Sequence, residues 1–157
     1  MRQQTRILAL SLLALAAIFI SCDRRTVYTS ALSLPSEGWH ADSTLCFDFC
    51  LSDLEAAYDV VIFFRHKENY PYQNVWLIVD QKPISTASSD TIEFYLADQR
   101  GRWLSGGIGK TKQMPVLYLH DHHFADSCYT MSIRHAMRDQ TLQGVSDIGL
   151  RITKSRQ

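Results

Sequence analysis

The sequence predicts an all-β fold, an antiparallel immunoglobulin-like β-sandwich of about seven or eight strands. Three observations lead to this prediction. Short segments rich in β-branched and aromatic residues recur along the chain, turn residues separate them, and no amphipathic helix lies between them that could serve as a crossover in a parallel sheet. The predicted strands are residues 45–51, 58–66, 74–80, 90–97, 116–120, 129–133 and 148–152.

The first two of these segments differ in how much of each strand should be buried. In residues 45–51 every odd position is apolar, which predicts a strand with one face in the core. Residues 58–66 are dense in valine, isoleucine and phenylalanine and end at a polar cluster before Pro71, which predicts a largely buried strand.

The next two segments predict a hairpin. Residues 74–80 and 90–97 are joined by a turn that contains Pro83 and several serines, and a connection of this length favours antiparallel pairing. Glu93 and Tyr95 alternate with apolar residues, so we expect that face of the second strand to meet solvent or a partner.

The remaining strands follow a turn-rich stretch at residues 98–115. The segment before Tyr129 is similar to the corner of immunoglobulin-like sandwiches, where a tyrosine hydroxyl caps nearby backbone. Residues 134–143, with Met137 and Leu142, are the one stretch that could form a brief helix.

The N-terminus has the layout of a lipoprotein signal peptide. Arg2 and Arg6 precede an apolar run at residues 7–20, which is shorter than the roughly 20 residues of a transmembrane helix. The run ends at Ser21-Cys22 in a motif that resembles a lipobox. We therefore predict a signal peptide at residues 1–21, acylation of Cys22 and a membrane anchor at that residue.

Residues 22–42 contain a proline, a glycine and several serines with little periodicity, so they predict a lipid-anchored tether before a domain at residues 43–157. Val27 and Tyr28 could instead dock as an edge strand. Acidic and basic residues number sixteen each over the whole chain, and the signal segment contributes only basic ones. The mature protein should be slightly acidic, so we expect no nucleic-acid partner.

Three cysteines remain once Cys22 is acylated. Cys46 and Cys50 would lie about 13 Å apart along one strand, too far to bridge, so a disulfide would need Cys128 as one half. The favoured interpretation is three small, half-buried thiols without a bond.

Two short motifs could carry chemistry but favour other interpretations. Residues 106–111 end in Gly-Lys-Thr, yet the position that should hold the first glycine of a phosphate loop is Leu104, so we expect no nucleotide. His120 and His122 are candidate metal ligands, but no further ligands stand at a fixed spacing, which favours a solvated strand end without a metal.

The chain shows no nucleophile motif, and Glu93 with Asp90 or Asp98 is not distinguishable from an ordinary polar strand face, so we predict no enzyme and no cofactor. Aromatic rings are more often core, but an exposed ring provides rigid contact area for a sugar or peptide. The rings considered are those of Tyr70, Tyr72, Trp76, Tyr95 and Trp103, of which Tyr95, Trp103 and Tyr72 form the predicted partner-binding surface.

Three separated blocks resemble the gliding motility-associated GldH lipoprotein family of Bacteroidetes. They are NYPYQNVWL at 69–77, DTIEFYLAD at 90–98 followed by GRWL at 101–104, and MRD at 137–139 followed by LQGVSDIGLRI at 142–152. Cys128, where a glycine would be expected, and the histidine run depart from the family pattern.

The resemblance implies a non-enzymatic, lipid-anchored accessory of the gliding apparatus and of the type IX secretion linked to it, with envelope proteins as partners. Asp23-Arg24-Arg25 after Cys22 is not the acidic run expected of a surface-exported lipoprotein, which favours the outer membrane with the domain facing the periplasm. The alternative is a stand-alone glycan- or metal-binding envelope lipoprotein.

Overall fold

The computed structural model describes residues 25–83, 87–106 and 109–156, and within them every regular element is a β-strand. Two four-stranded sheets and one two-stranded ribbon contain only antiparallel pairs, which confirms the predicted all-β fold. The strands are β1 (Thr26–Ser33), β2 (Trp39–His40), β3 (Leu45–Cys50), β4 (Tyr58–Lys67), β5 (Asn74–Pro83), β6 (Ser88–Tyr95), β7 (Thr111–His122), β8 (Cys128–His135), β9 (Thr141–Leu142) and β10 (Val145–Lys154).

The sheets combine strands that are distant in sequence. One has the order β1-β10-β4-β7 and the other the order β3-β8-β5-β6, while β2 pairs with β9. The two members of the predicted hairpin, β5 and β6, are antiparallel neighbours, with Asn74 opposite Tyr95. The described part of the chain contains eight strands of six residues or more, which agrees with the expected seven or eight.

Alternation along the strands places one apolar face of each sheet in a shared core. β4 buries every second residue from Tyr58 to His66, and β5 does the same from Val75 to Gln81. Full burial of a large apolar side chain contributes about 1.5–3 kcal/mol of stability relative to leaving it exposed. The largest fully buried side chains are Trp39, Tyr58, Phe47, Phe64, Ile62, Leu77, Leu96, Met131, Ile133, Leu142, Ile148 and Leu150.

The two ends of the sandwich differ, and we name them for the course of β1. At the proximal end β1 begins, Tyr58 lies opposite Lys154, and the chain continues from β3 through residues 51–57. At the distal end β4 finishes, with His66 opposite Val145. Tyr70 then packs so closely on Gly144 that a Cβ there would lie 2.8 Å from the Tyr70 Cα.

The prediction of a tether over residues 22–42 is wrong from Thr26 onward. Thr26–Ser33 forms β1 and pairs along its length with β10, so the edge-strand alternative for Val27 and Tyr28 is the correct one. Every second β1 residue is half-buried, because an edge strand covers the core with one face only. Cys22 and the predicted signal peptide at residues 1–21 lie outside the described residues.

The predicted brief helix at residues 134–143 is also wrong. β8 continues to His135, and Leu142 lies in β9 opposite Trp39. Leu142 and Met137 are both packed on the core, but from a strand and a turn rather than from one helical face. β7 also begins earlier than predicted, at Thr111, inside the stretch that we expected to be turns.

The favoured prediction of three unbonded thiols is wrong, because Cys50 and Cys128 form a disulfide. They lie directly opposite each other in β3 and β8, with their Cα atoms 4.1 Å apart. Cys46 remains a free, exposed thiol 3.5 Å from the Ser132 hydroxyl oxygen. In the adjacent corner the Asp126 N–H donates to the Tyr129 hydroxyl oxygen at 3.1 Å, as the corner motif predicts.

Candidate functional site

Exposed aromatic rings occur on the outer face of the β5/β6 hairpin near the distal end. Tyr95 is 60% exposed and Trp76 is 39% exposed. Trp76 points outward because its neighbours Val75 and Leu77 are fully buried on the opposite face of β5. Asn74, which lies opposite Tyr95, donates from Nδ2 to the Glu93 carboxylate at 2.6 Å.

A groove runs beside this hairpin. Its volume is about 340 Å³, and the residues that line it are Tyr72, Asn74, Trp76, Ala136, Met137 and Arg138. The backbone carbonyl of Trp76 accepts from the Ala136 N–H at 2.8 Å, and the Trp76 N–H donates to the Met137 sulfur at 3.4 Å. These bonds hold the segment after β8 against β5, so the groove has a fixed floor.

Tyr72 forms one wall of the groove and is half-buried. Its ring lies 6.1 Å from the buried ring of Tyr70, and its hydroxyl is hydrogen-bonded to Asp139. The bond to the Asp139 carboxylate raises the pKa of Tyr72, because that carboxylate favours the protonated hydroxyl. The Tyr72 hydroxyl therefore donates to Asp139, and its ring is held in place at the groove.

Trp103, the third ring of the predicted surface, belongs to a different environment. Residue 103 bridges Ala97, and its half-buried ring lies 4.5 Å from the fully buried imidazole of His66. Burial lowers the pKa of His66, because desolvation disfavours the imidazolium. Trp103 thus covers a buried neutral histidine.

The exposed site is therefore composed differently from the predicted one. We name it the distal surface and define it as Tyr72, Asn74, Trp76, Glu93, Tyr95 and Met137. Asn74 connects the groove with the exposed face of the hairpin, since it lines the groove with Tyr72 and lies opposite Tyr95 in the hairpin. Trp76 was missing from the predicted surface, although its even position in a strand with buried odd positions is a signal that could have identified it.

The candidate metal ligands lie at the proximal end. His120 is hydrogen-bonded through Nδ1 to the Asp59 carboxylate at 2.8 Å. His122 packs edge-on against Phe124, and burial lowers its pKa. Asp121 between them has a φ of 52°, and the β4/β7 register shifts there, so regular strand alternation is interrupted.

Asp59 is hydrogen-bonded to several polar groups at this end of the sandwich. Its carboxylate accepts from the Asp121 N–H and from the Ser155 hydroxyl as well as from His120. The Asp121 N–H is the main group that holds the pKa of Asp59 below its usual range. In the part of the chain that the structure describes, no group of three histidine, cysteine or carboxylate side chains could hold a metal ion.

The three carboxylates considered for hydrolysis are held by different partners. Glu93 accepts from Asn74, Asp90 accepts from the Tyr118 hydroxyl, and Asp98 accepts from Arg102 and from the backbone of its own turn. Asp90 and Glu93 lie on the edge strand β6, and Asp98 lies in the turn that follows it.

None of the described residues belongs to a helix long and apolar enough to cross a membrane.

Comparison with known proteins gives consistent matches. A family model described as GldH lipoprotein matches residues 26–152, which begins at the first residue of β1 and ends within β10. A gliding motility lipoprotein GldH homolog of Christiangramia forsetii is 35% identical over 147 residues, covering 88% of this chain and 90% of the relative. The gliding motility lipoprotein GldH of Flavobacterium johnsoniae is 32% identical over 150 residues, covering 90% and 93%.

Proposed function

Because the chain belongs to the GldH lipoprotein family, we propose that it is a non-enzymatic interaction component of the gliding motility apparatus and its associated type IX secretion system. In this proposal the protein is anchored by lipid on Cys22 to the outer membrane and faces the periplasm. The relatives' names and the lipobox-like motif support the anchor, and the absence of an acidic run after Cys22 supports the periplasmic side.

One observation supports protein binding above all, namely the distal surface. Tyrosine and tryptophan are enriched among the residues that dominate binding energy at protein interfaces. Here both expose their rings on a hairpin, beside a groove whose floor is hydrogen-bonded to β5. A rigid surface loses little side-chain entropy on binding, which favours use as a docking site.

The test is co-purification of a tagged protein from detergent-solubilised envelopes, followed by mass spectrometry of the proteins retained. Trp76→Asp and Tyr95→Asp should each reduce the retained partner by about tenfold or more, since truncating an interface hot spot costs about 2 kcal/mol or more. The matched control is Leu117→Asp, which also changes an exposed apolar residue but lies on β7 in the other sheet. Equal retention by the wild type and both variants would contradict binding at the distal surface.

The anchor is tested separately by metabolic labelling with a clickable fatty acid. The wild-type protein should carry the label, Cys22→Ala should lose it, and Cys46→Ala should keep it, because Cys46 is the other cysteine outside the disulfide. An unlabelled wild-type protein would contradict the lipid anchor.

A second candidate function, binding of a glycan by the protein alone, has one observation in its favour. The groove is within the size range of small-ligand sites, and Tyr72 and Trp76 offer aromatic walls on which a sugar ring could stack. A glycan array probed with the mature domain would support this function by saturable binding that Trp76→Ala abolishes. Binding that Trp76→Ala leaves unchanged would count against it.

A further inference from the structure

The path of the chain from Cys22 into the fold limits where the domain can sit. Arg25 is the first described residue, and its carbonyl accepts from the Lys154 N–H at 2.9 Å at the proximal end. Three residue steps separate Cys22 from Arg25, and a fully extended chain spans at most about 3.6 Å per residue. An acylated Cys22 would therefore lie within about 11 Å of the proximal end.

The proximal end has a surface that suits the headgroup layer of a bilayer. Two of the exposed large apolar side chains, Val27 and Leu54, belong to it, and Leu54 is 41% exposed within the loop before β4. Beside them is an open cleft in which three cationic side chains accompany two acidic ones, and Lys154 pairs with Asp53 at 2.6 Å. The cleft residues are Arg25, Asp53, Glu55, Ala56, Ala57, Lys154, Ser155 and Arg156.

The balance of charge within the cleft matters because excess acidic groups there would be repelled by lipid phosphates. The acidic groups of the cleft are outnumbered by the cationic ones, and the ion pair with Lys154 offsets the charge of Asp53 and holds its pKa below the usual range. The two exposed apolar side chains suit the acyl boundary of a bilayer, and the slightly cationic cleft beside them suits the phosphate groups of the headgroup layer.

The distal surface is at the opposite end of the same strands. β4 and β10 each contain ten residues, and a strand rises about 3.3 Å per residue, so the two ends are about 30 Å apart. Tyr70, which follows the distal end of β4, donates to the Asn74 carbonyl at 3.0 Å and so connects that end to the groove.

We propose that the sandwich stands end-on at the membrane, with the proximal end against the lipid headgroups and the distal surface facing away from the bilayer. This orientation rests on the proposed acylation of Cys22. It implies that the distal surface binds a partner domain about 30 Å from the headgroups, outside the reach of a membrane-embedded segment.

The experiment uses the full protein purified in detergent from envelope membranes, reconstituted into vesicles of phosphatidylethanolamine and phosphatidylglycerol that contain a trace of headgroup-nitroxide lipid. Cys46→Ser removes the free thiol, and a fluorophore is then attached at Leu54→Cys or at Tyr95→Cys. Both positions are exposed, so labelling should leave the core intact. We expect several-fold stronger quenching of the label at position 54 than of the label at position 95.

A second pair of labelled variants repeats the comparison in case a variant of the first pair fails to fold. Glu55→Cys and Arg100→Cys place labels on other exposed residues at the proximal end and at the turn after β6. Equal quenching at the two ends, or stronger quenching at position 95 or 100, would overturn the end-on orientation while the protein still floats with the vesicles. Loss of flotation would instead overturn acylation of Cys22, and the orientation with it.

Discussion

The disulfide between Cys50 and Cys128 should be a major contributor to the stability of this domain. The perturbation is the double substitution Cys50→Ala/Cys128→Ala, which removes the cross-link and replaces each half with a small apolar side chain. The two cysteines are 78 residues apart, and the chain-entropy relation for a loop of that length gives about 4.5 kcal/mol at 25 °C. Native disulfides of small secreted domains contribute about 2–5 kcal/mol, so we expect a loss within that range.

The assay is urea unfolding of residues 22–157 carrying Cys22→Ser, monitored by tryptophan fluorescence. Trp39 is fully buried, so its emission reports on loss of the core. A loss of 2 kcal/mol or more should lower the urea midpoint by about 1 M or more. Adding a reductant to the parent protein should produce a similar shift.

The matched control is Cys46→Ala, since Cys46 lies on the same strand but is exposed and free. We expect its free energy of unfolding to stay within about 0.5 kcal/mol of the parent. A loss below about 1 kcal/mol in the double variant, or an equal loss in Cys46→Ala, would refute the loop-entropy reasoning.

Gly144→Ala should lower the free energy of unfolding by about 2–4 kcal/mol in the same assay, because the φ of Gly144 is +81° and a Cβ there would lie 2.8 Å from the Tyr70 backbone. The control Gly101→Ala, at a φ of +75° with open space around it, should cost about 1–2 kcal/mol. Similar losses in the two variants would show that the contact with Tyr70 is unimportant. Burial lowers the pKa of His66 below 6.5, so near that pH the unfolded chain binds more protons than the folded one. The free energy of unfolding should therefore fall as pH drops below about 6.5, and His66→Gln should make this fall less steep. An equally steep fall in the variant would contradict the role of His66. Trp103→Ala should raise the pKa of His66, measured by NMR, because the ring that covers it is lost.

Local pattern was sufficient to predict the strands that bury one or both faces. The alternation in β3 and the apolar density of β4 arise from the side chains themselves, so both segments are predictable without knowledge of their neighbours. β1 is different, because it is an edge strand whose place depends on pairing with β10, more than a hundred residues later in the chain. Its own residues show too little periodicity to distinguish it from a tether.

The candidate site was only partly predictable for a similar reason. The exposure of Tyr95 follows from alternation in its own strand, and the structure agrees. Trp103 lies outside any regular strand, and its contact with His66 depends on how the segment after β6 folds back on the core. The Cys50–Cys128 bond likewise needed the cross-strand register of β3 and β8, which spacing in the sequence does not reveal.

The position of β10 between β1 and β4 has a consequence for biogenesis. Among the described residues the first strand, β1, pairs with the last one, β10, so the sheet β1-β10-β4-β7 cannot be completed until nearly all of the polypeptide is available for folding. Folds dominated by such distant pairings have high contact order and fold in milliseconds to seconds rather than microseconds. A chain that has not yet completed this sheet would thus expose unpaired strand edges for that interval, and a chain truncated before residue 145 should be degraded by proteases more readily than the full chain.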